Sequence, residues 1–353
     1  LPEGSVVPLG ALRFVISYIG GSGNDVVLTA INNVPTPSGG VVTAPFSLAP
    51  GNLVTAVSGG FVQFSTSAGI NRQFKPFPGY NGLLAVNAMD RTGDGTADSL
   101  VVAVATPGNM PRLMVIDAAT GRVAQNGYAF TPEFLGGMSV SSGMANLGGI
   151  NTSVLIVGAG PGANPLVRVF NSVNSALIKQ FNAFSATYSG GVHVAMSNPD
   201  GMGDSIAVVS ARTGSRVSGF DLDNPSVLVA NFNAFTSMMN GVTVSVGDVD
   251  GDGSNEIVVG SGSGASPLVR IYTSSGVFIR QFQPFATSFT GGVNVGLADF
   301  DADGQLEFVT AAASGTKGRL IIYKGDPVSV IHSAFMTTGI SELAAATNLT
   351  VVA

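Results

Sequence analysis

Three features of the sequence predict an all-β fold, a β-propeller of six four-stranded blades preceded by a β-hairpin. A phenylalanine anchor returns about every 50 residues, each copy holds four short apolar segments, and the composition suits strands and turns better than surface helices. Glycine supplies 48 of the 353 residues, while 45% are hydrophobic and only 10% charged. A lone blade exposes two apolar faces that radial stacking buries, so such a fold is apolar and sparing of charge.

Taken in chain order, residues 1–32 read as the hairpin, with residues 12–31 turning at GGSGND. GGSGND matches one unit of a calcium-binding β-roll repeat with Asp25 as its acid, but a β-roll needs several stacked units, so a plain turn is expected. Residues 33–50 are rich in Pro, Gly and Ser, the composition of a linker, and the propeller is expected over 51–353.

Within the propeller the anchors Phe77, Phe130, Phe184, Phe235, Phe285 and Phe335 are spaced 53, 54, 51, 50 and 50 residues apart. A glycine and an apolar alternation follow each of the first five, as in Phe130 with Gly136 and Phe235 with Gly241. The fullest copy divides into strands at 242–246, 257–260, 268–272 and 278–282, rich in β-branched or aromatic residues and bounded by Gly, Ser, Pro or Asp. The recurrent aromatics Phe64, Phe170, Phe220, Tyr272 and Tyr323, and the phenylalanines of the QF pairs, are expected between blades. Two partial copies flank the complete ones. Residues 53–74 lack a first strand and residues 341–353 supply little else, so a composite blade is expected to close the ring, with 343–347 as its innermost strand.

Between the first and second strands of two copies lie DVDGDGSNE and DFDADGQLE. Alternate carboxylates converge only if the loop curls, and the glycines after the third aspartates, Gly253 and Gly304, permit that turn. The expected ligands are Asp248, Asp250, Asp252, the Ser254 carbonyl and Glu256, and likewise Asp299, Asp301, Asp303, the Gln305 carbonyl and Glu307. Calcium, which takes six to eight oxygens in flexible geometry, suits this set better than magnesium. A weaker copy, DRTGDGTAD, offers Asp90, Thr92, Asp94, Thr96 and Asp98 as a third site. The corresponding loop at 198–204 is irregular, and the one at 145–151 has no acid.

Fifteen basic against 21 acidic residues, with no basic cluster, argue against a nucleic-acid partner. The longest apolar run, 100–105, is far short of the ~20 residues of a membrane-spanning helix. The opening LPEGSVVPLG has neither the basic nor the apolar region of a signal peptide, as expected of a mature or excised segment. Cysteine is absent, histidine occurs twice, and no nucleophile elbow, zincin motif, phosphate loop or dinucleotide fingerprint is present, so no catalysis is expected. His193 holds the position taken in other copies by Ser139, Thr243 and Asn294, and alternation aligns these four toward a central channel.

DVDGDG and DFDADG, with the looser glycine-rich stretches VVGSGSG and IVGAGPG, resemble the FG-GAP and VCBS repeats of integrin-α-type propellers over about residues 51–353. Glu at the ninth loop position and the degenerate loops depart from that pattern. The segment GGSGNDVVLTA resembles the ends of β-rich domains in very large bacterial surface proteins. These resemblances imply a calcium-binding, non-enzymatic structural or adhesive module. They also imply a secreted or cell-surface setting and a protein or glycan partner in the matrix. Self-association into a head-to-tail polymer, or a calcium-dependent carbohydrate-active enzyme similar to certain polysaccharide lyases, is the alternative.

Overall fold

The computed structural model describes residues 6–9, 12–20, 25–30, 42–66, 69–197, 205–236, 240–313, 319–325, 329–335 and 350–351, and their regular elements are strands throughout. β1 (Val6–Leu9), β2 (Leu12–Gly20) and β3 (Asp25–Ala30) form an antiparallel sheet in chain order. The predicted hairpin is therefore joined by a third strand; the centre of GGSGND, 21–24, lies outside the described residues.

β4 (Asn52–Val57), β5 (Phe61–Thr66) and β6 (Gly69–Phe74) make three strands of the sixth, composite blade. The first blade comprises β7 (Leu84–Met89), β8 (Ser99–Val104), β9 (Arg112–Asp117) and β10 (Val123–Tyr128). The second comprises β11 (Met138–Leu147), β12 (Ile150–Ala159), β13 (Leu166–Asn171) and β14 (Leu177–Asn182). In the third are β15 (Val192–Met196), β16 (Ile206–Ala211), β17 (Arg216–Asp221) and β18 (Leu228–Asn233). In the fourth are β19 (Asn240–Gly247), β20 (Glu256–Ser263), β21 (Val269–Thr273) and β22 (Phe278–Phe282). The fifth has β23 (Val293–Ala298), β24 (Glu307–Ala312), β25 (Arg319–Lys324) and β26 (Ser329–Phe335), and β27 (Thr350–Val351) completes the sixth. Each blade is an antiparallel meander, and β7, β11, β15, β19, β23 and β27 touch in turn around the axis until β27 meets β7.

The ring closes through a composite blade of order β27-β4-β5-β6, but its innermost strand differs from the one expected. Thr350 pairs with Val54 and Val351 with Leu53, whereas 343–347 lies outside the described residues. The physical reason is side-chain shape: Thr350 and Val351 are β-branched and suit a pleated surface, while the sequence LAAAT is alanine-rich.

Among the described residues, six apolar clusters join the blades, among them Val86 with Val54 and Phe64, Val140 with Val101, Val194 with Ile156 and Val167, and Val309 with Leu53. The QF phenylalanines extend the seams. Phe181 of the second blade packs on Phe220 of the third at 4.8 Å, and Phe232 of the third on Tyr272 of the fourth at 4.4 Å. Phe282 of the fourth packs on Tyr323 of the fifth at 5.1 Å. A contact not read from sequence repeats with them: a third-strand arginine covers the anchor ring of its own blade. Arg112 lies over Phe77, Arg168 over Phe130, Arg216 over Phe184 and Arg270 over Phe235, at 5.0, 5.2, 5.8 and 4.7 Å from the centroids.

Part of the stretch with linker composition is laid against the propeller. The N–H groups of Val42 and Thr43 donate to the Gly121 carbonyl, Phe46 packs on Phe64 at 4.8 Å, and Leu48 is buried. The Arg72 guanidinium holds this segment by donating to Thr43 Oγ1 and to the carbonyls of Ala44 and Pro45.

Candidate metal centres at the channel mouth

The acidic loops span the first and second strands of the first, fourth and fifth blades, so they gather at one end of the ring. There they border a cavity of about 640 Å³ lined by Asp90, Asp248, Gly253, Asn255 and Gln305, with Ser141 and Ser245 deeper along the inner strands. The four aligned residues Ser139, His193, Thr243 and Asn294 sit one alternation further in and do not line this cavity. Two of them join blades instead: Ser139 Oγ donates to the Val192 carbonyl at 2.9 Å, and Thr243 Oγ1 to the Val293 carbonyl at 2.8 Å. Burial, and secondarily the Arg212 charge, hold the His193 imidazole well below its ordinary range. It is therefore neutral at physiological pH.

In each acidic loop the first aspartate is the hub. Asp248 accepts the N–H of Gly251 through Oδ1 and of Gly253 through Oδ2, and Asp299 accepts those of Asp303 and Gly304 in the same way. The glycines are required by conformation, since Gly253 and Gly304 have φ of 86° and 88° with no neighbour crowding a Cβ. At the position of Gly251 the fifth blade carries Ala302 with φ of 63°, a left-handed conformation that strains an L-residue.

Two groups of carboxylates converge, each with one oxygen per residue and all within 4.8 Å: Asp248, Asp250 and Glu256, and Asp299, Asp301 and Asp303. Asp252 and Glu307, expected in the ligand sets, are outside these groups. Asp252 Oδ1 accepts the Ser254 N–H, and Glu307 Oε2 accepts the Phe300 N–H. Gln305 likewise turns its N–H onto Asp303 Oδ1. Both closing glutamates are buried, and Glu256 Oε2 accepts the Val249 N–H, the counterpart of the Phe300 bond.

The donor set fits a hard divalent cation. Burial first, and then Asp250, Asp252 and Asp248, push the Glu256 carboxyl up to about 7 against the opposing hydrogen bond from Val249. Such mutual repulsion is what an oxygen-ligated cation relieves. Because the folded value lies above the unfolded ~4.3, the unfolded chain releases this proton first as pH rises. The metal-free protein is thus expected to lose stability between about pH 4.5 and 7 from this group, with the loss complete above that window. Thermal melts in chelator should show a smaller decline for Glu256→Gln than for the wild type; identical declines would remove Glu256 as the source.

The third predicted site does not form a converging group. Asp90 accepts N–H groups of Gly93 and Gly95, Thr92 Oγ1 donates to Asp90, and the Thr92 N–H is received by Asp98. Asp94 is turned onto the N–H and hydroxyl of Thr96, which together lower its carboxyl. The cause is register: Met89 pairs with Ser99, one residue beyond Asp98, whereas Gly247 pairs directly with Glu256. Asp98 therefore does not reach the place of the closing glutamate. The second-blade loop is a tight hairpin turning at Gly148 and Gly149, which leaves no room for a ligand loop, and 198–204 lies outside the described residues.

A residue not foreseen completes the fifth-blade loop. Lys324 Nζ lies 2.6 Å from Asp301 Oδ2, bonds Asp303 Oδ2, and stands 3.7 Å from Glu307 Oε1. Its hydrogen bonds to Asp301 and Asp303 raise the ammonium above its ordinary value, and Asp303 is correspondingly lowered.

The fold and these loops define a six-bladed β-propeller with acidic loops between the first and second strands. Residues 248–310, in the fourth and fifth blades, match the family model described as FG-GAP-like repeat. No curated protein matches the chain. Similar solved structures include the Dos1 propeller, at 13% identity over 85% of this chain and 72% of that one, with a TM-score of 0.45. The V. cholerae biofilm matrix protein Bap1 is 16% identical over 83% of this chain and 42% of its own, with a TM-score of 0.39. The dihydro-heme d1 dehydrogenase NirN is 14% identical over 84% and 56%, with a TM-score of 0.39.

Proposed function

We propose that the chain is a calcium-binding, non-enzymatic propeller of an extracellular surface or matrix protein, serving as a structural or adhesive module toward protein or glycan partners. The observation that carries the calcium reading is the convergence of three carboxylate oxygens within 4.8 Å in two successive blades. Asp248, Asp250 and Glu256 would hold one ion and Asp299, Asp301 and Asp303 the other. Each ion supplies positive charge that offsets the repulsion within its loop and fixes the loop at the channel mouth. The thin catalytic inventory supports the non-enzymatic reading, with His193 buried away from the cavity.

The test is calorimetric titration of calcium. With dissociation constants of ~0.1–1 mM, typical of extracellular modules, ~1 mM calcium adds about 0.4–1.4 kcal/mol of stability per site. Asp250→Ala and Asp301→Ala should each abolish one site and its share of the stabilisation. Absence of calcium uptake by the wild type at millimolar concentration would sink the assignment.

A further inference from the structure

The two acidic loops agree in sequence pattern and in their hub aspartates, yet they differ in what the neighbouring third strand brings to them. In the fourth blade Glu256 pairs across the sheet with Thr273, a neutral residue. In the fifth, Phe308 pairs with Tyr323, so Lys324 stands beside Glu307 where Thr273 stands beside Glu256. Its ammonium bridges Asp301 and Asp303, two of the three converging carboxylates. The charges acting on Glu256 are the three aspartates of its own loop, whereas those acting on Glu307 include Lys324.

Resting on the reading of these loops as calcium sites, we propose that Lys324 is a built-in counter-ion that makes them unequal. The 248–256 loop takes up calcium first, and the 299–307 loop does so only as its ammonium is displaced. An incoming cation must break the hydrogen bonds that Lys324 donates to Asp301 and Asp303 and must enter a loop whose negative charge is already reduced. Displacement is nevertheless feasible. Lysine is a compact charge on a flexible stem, and this side chain is 25% exposed, so the freed ammonium swings into water. Partly exposed ion pairs are individually weak, which makes the handicap roughly tenfold in dissociation constant and not a blockade. Without metal, the 299–307 loop keeps an internal cation, and among the described residues no ammonium or guanidinium is ion-paired with the 248–256 loop. Falling calcium therefore empties the lysine-bearing loop first while costing it less order, and the module responds in two steps.

The experiment titrates calcium calorimetrically into the full chain, Lys324→Thr, Asp250→Ala and the double variant, and melts each in chelator. The wild type is expected to show two classes of site roughly tenfold apart. Asp250→Ala should retain the weaker class, and adding Lys324→Thr to it should tighten that class roughly tenfold. In chelator Lys324→Thr should melt below the wild type, and excess calcium should remove the difference. Equal affinities for Asp250→Ala and the double variant would overturn the role of Lys324 while leaving the calcium reading intact. So would a Lys324→Thr melt unchanged in chelator. If neither the wild type nor Lys324→Thr takes up calcium, the calcium reading fails, and this inference fails with it. Should the double variant not fold, Lys324→Thr alone decides: its two sites must merge toward one tight class, and two classes unchanged from the wild type would overturn the proposal.

Discussion

Removal of residues 341–353 is expected to lower the unfolding free energy by roughly 3–6 kcal/mol, the value of uncovering two buried aliphatic side chains. The deletion takes away β27, which pairs with Leu53 and Val54, both almost fully buried. Leu53 belongs to the cluster between the fifth and sixth blades and Val54 to the one between the sixth and first, so both seams of the closing blade loosen together. Urea unfolding of the truncated chain measures the effect. If its midpoint stays unchanged and the chain merely loses self-association, the terminal strand is exchanged between molecules in a head-to-tail contact, and closure within one chain is wrong.

The second large effect is expected at an anchor. Phe77 is 1% exposed, meets Tyr80 edge-on at 6.3 Å and carries the Arg112 guanidinium over its ring. Phe77→Ala should cost about 3–5 kcal/mol, because a cavity opens among branched side chains of two blades that cannot collapse together into it. Arg112→Met keeps the bulk and removes the charge, so it should cost only about 0.5–1 kcal/mol. A Phe77→Ala loss below about 1 kcal/mol in the same denaturation experiment would show that the anchor is not a core residue.

What the sequence makes legible is what is local along the chain. The blade is readable from Phe235 to Phe282 because period-two alternation, bounding glycines and aromatic positions lie within one 50-residue copy. The loops are readable because three aspartates, a glycine and a closing acid lie within nine residues. Lys324 is not legible: it comes from the third strand, and only the register of β24 on β25 brings it back to the loop. The arginines stacked on four of the anchors are equally non-local. Arg270 lies far along the chain from Phe235 and also donates to the Ala234 carbonyl, so its ring contact depends on the folded blade. The weak third loop shows a subtler limit. DRTGDGTAD preserves the spacing from Asp90 to Asp98, yet the strand pairing begins one residue later, and spacing alone does not reveal where a ladder starts. The closing strand differs from expectation for a related reason: two short segments near the C-terminus can each complete the blade by pattern, and β-branched shape decides between them.

The composite blade also sets the order in which this molecule can be assembled. Five blades pair strands that follow one another in sequence, so each can form as a local hairpin series with short loops. The sixth must bring Val54 to Thr350, about 300 residues apart, and that encounter carries the largest chain entropy with the fewest contacts to offset it. The meeting of the two ends of the chain is therefore the expected slow step of folding. Until the ends meet, the edge of β4 that β27 covers is unpaired, an edge that a strand of another chain could also pair with. Were terminal strands exchanged between chains, dilution would be expected to favour closed rings over linked ones.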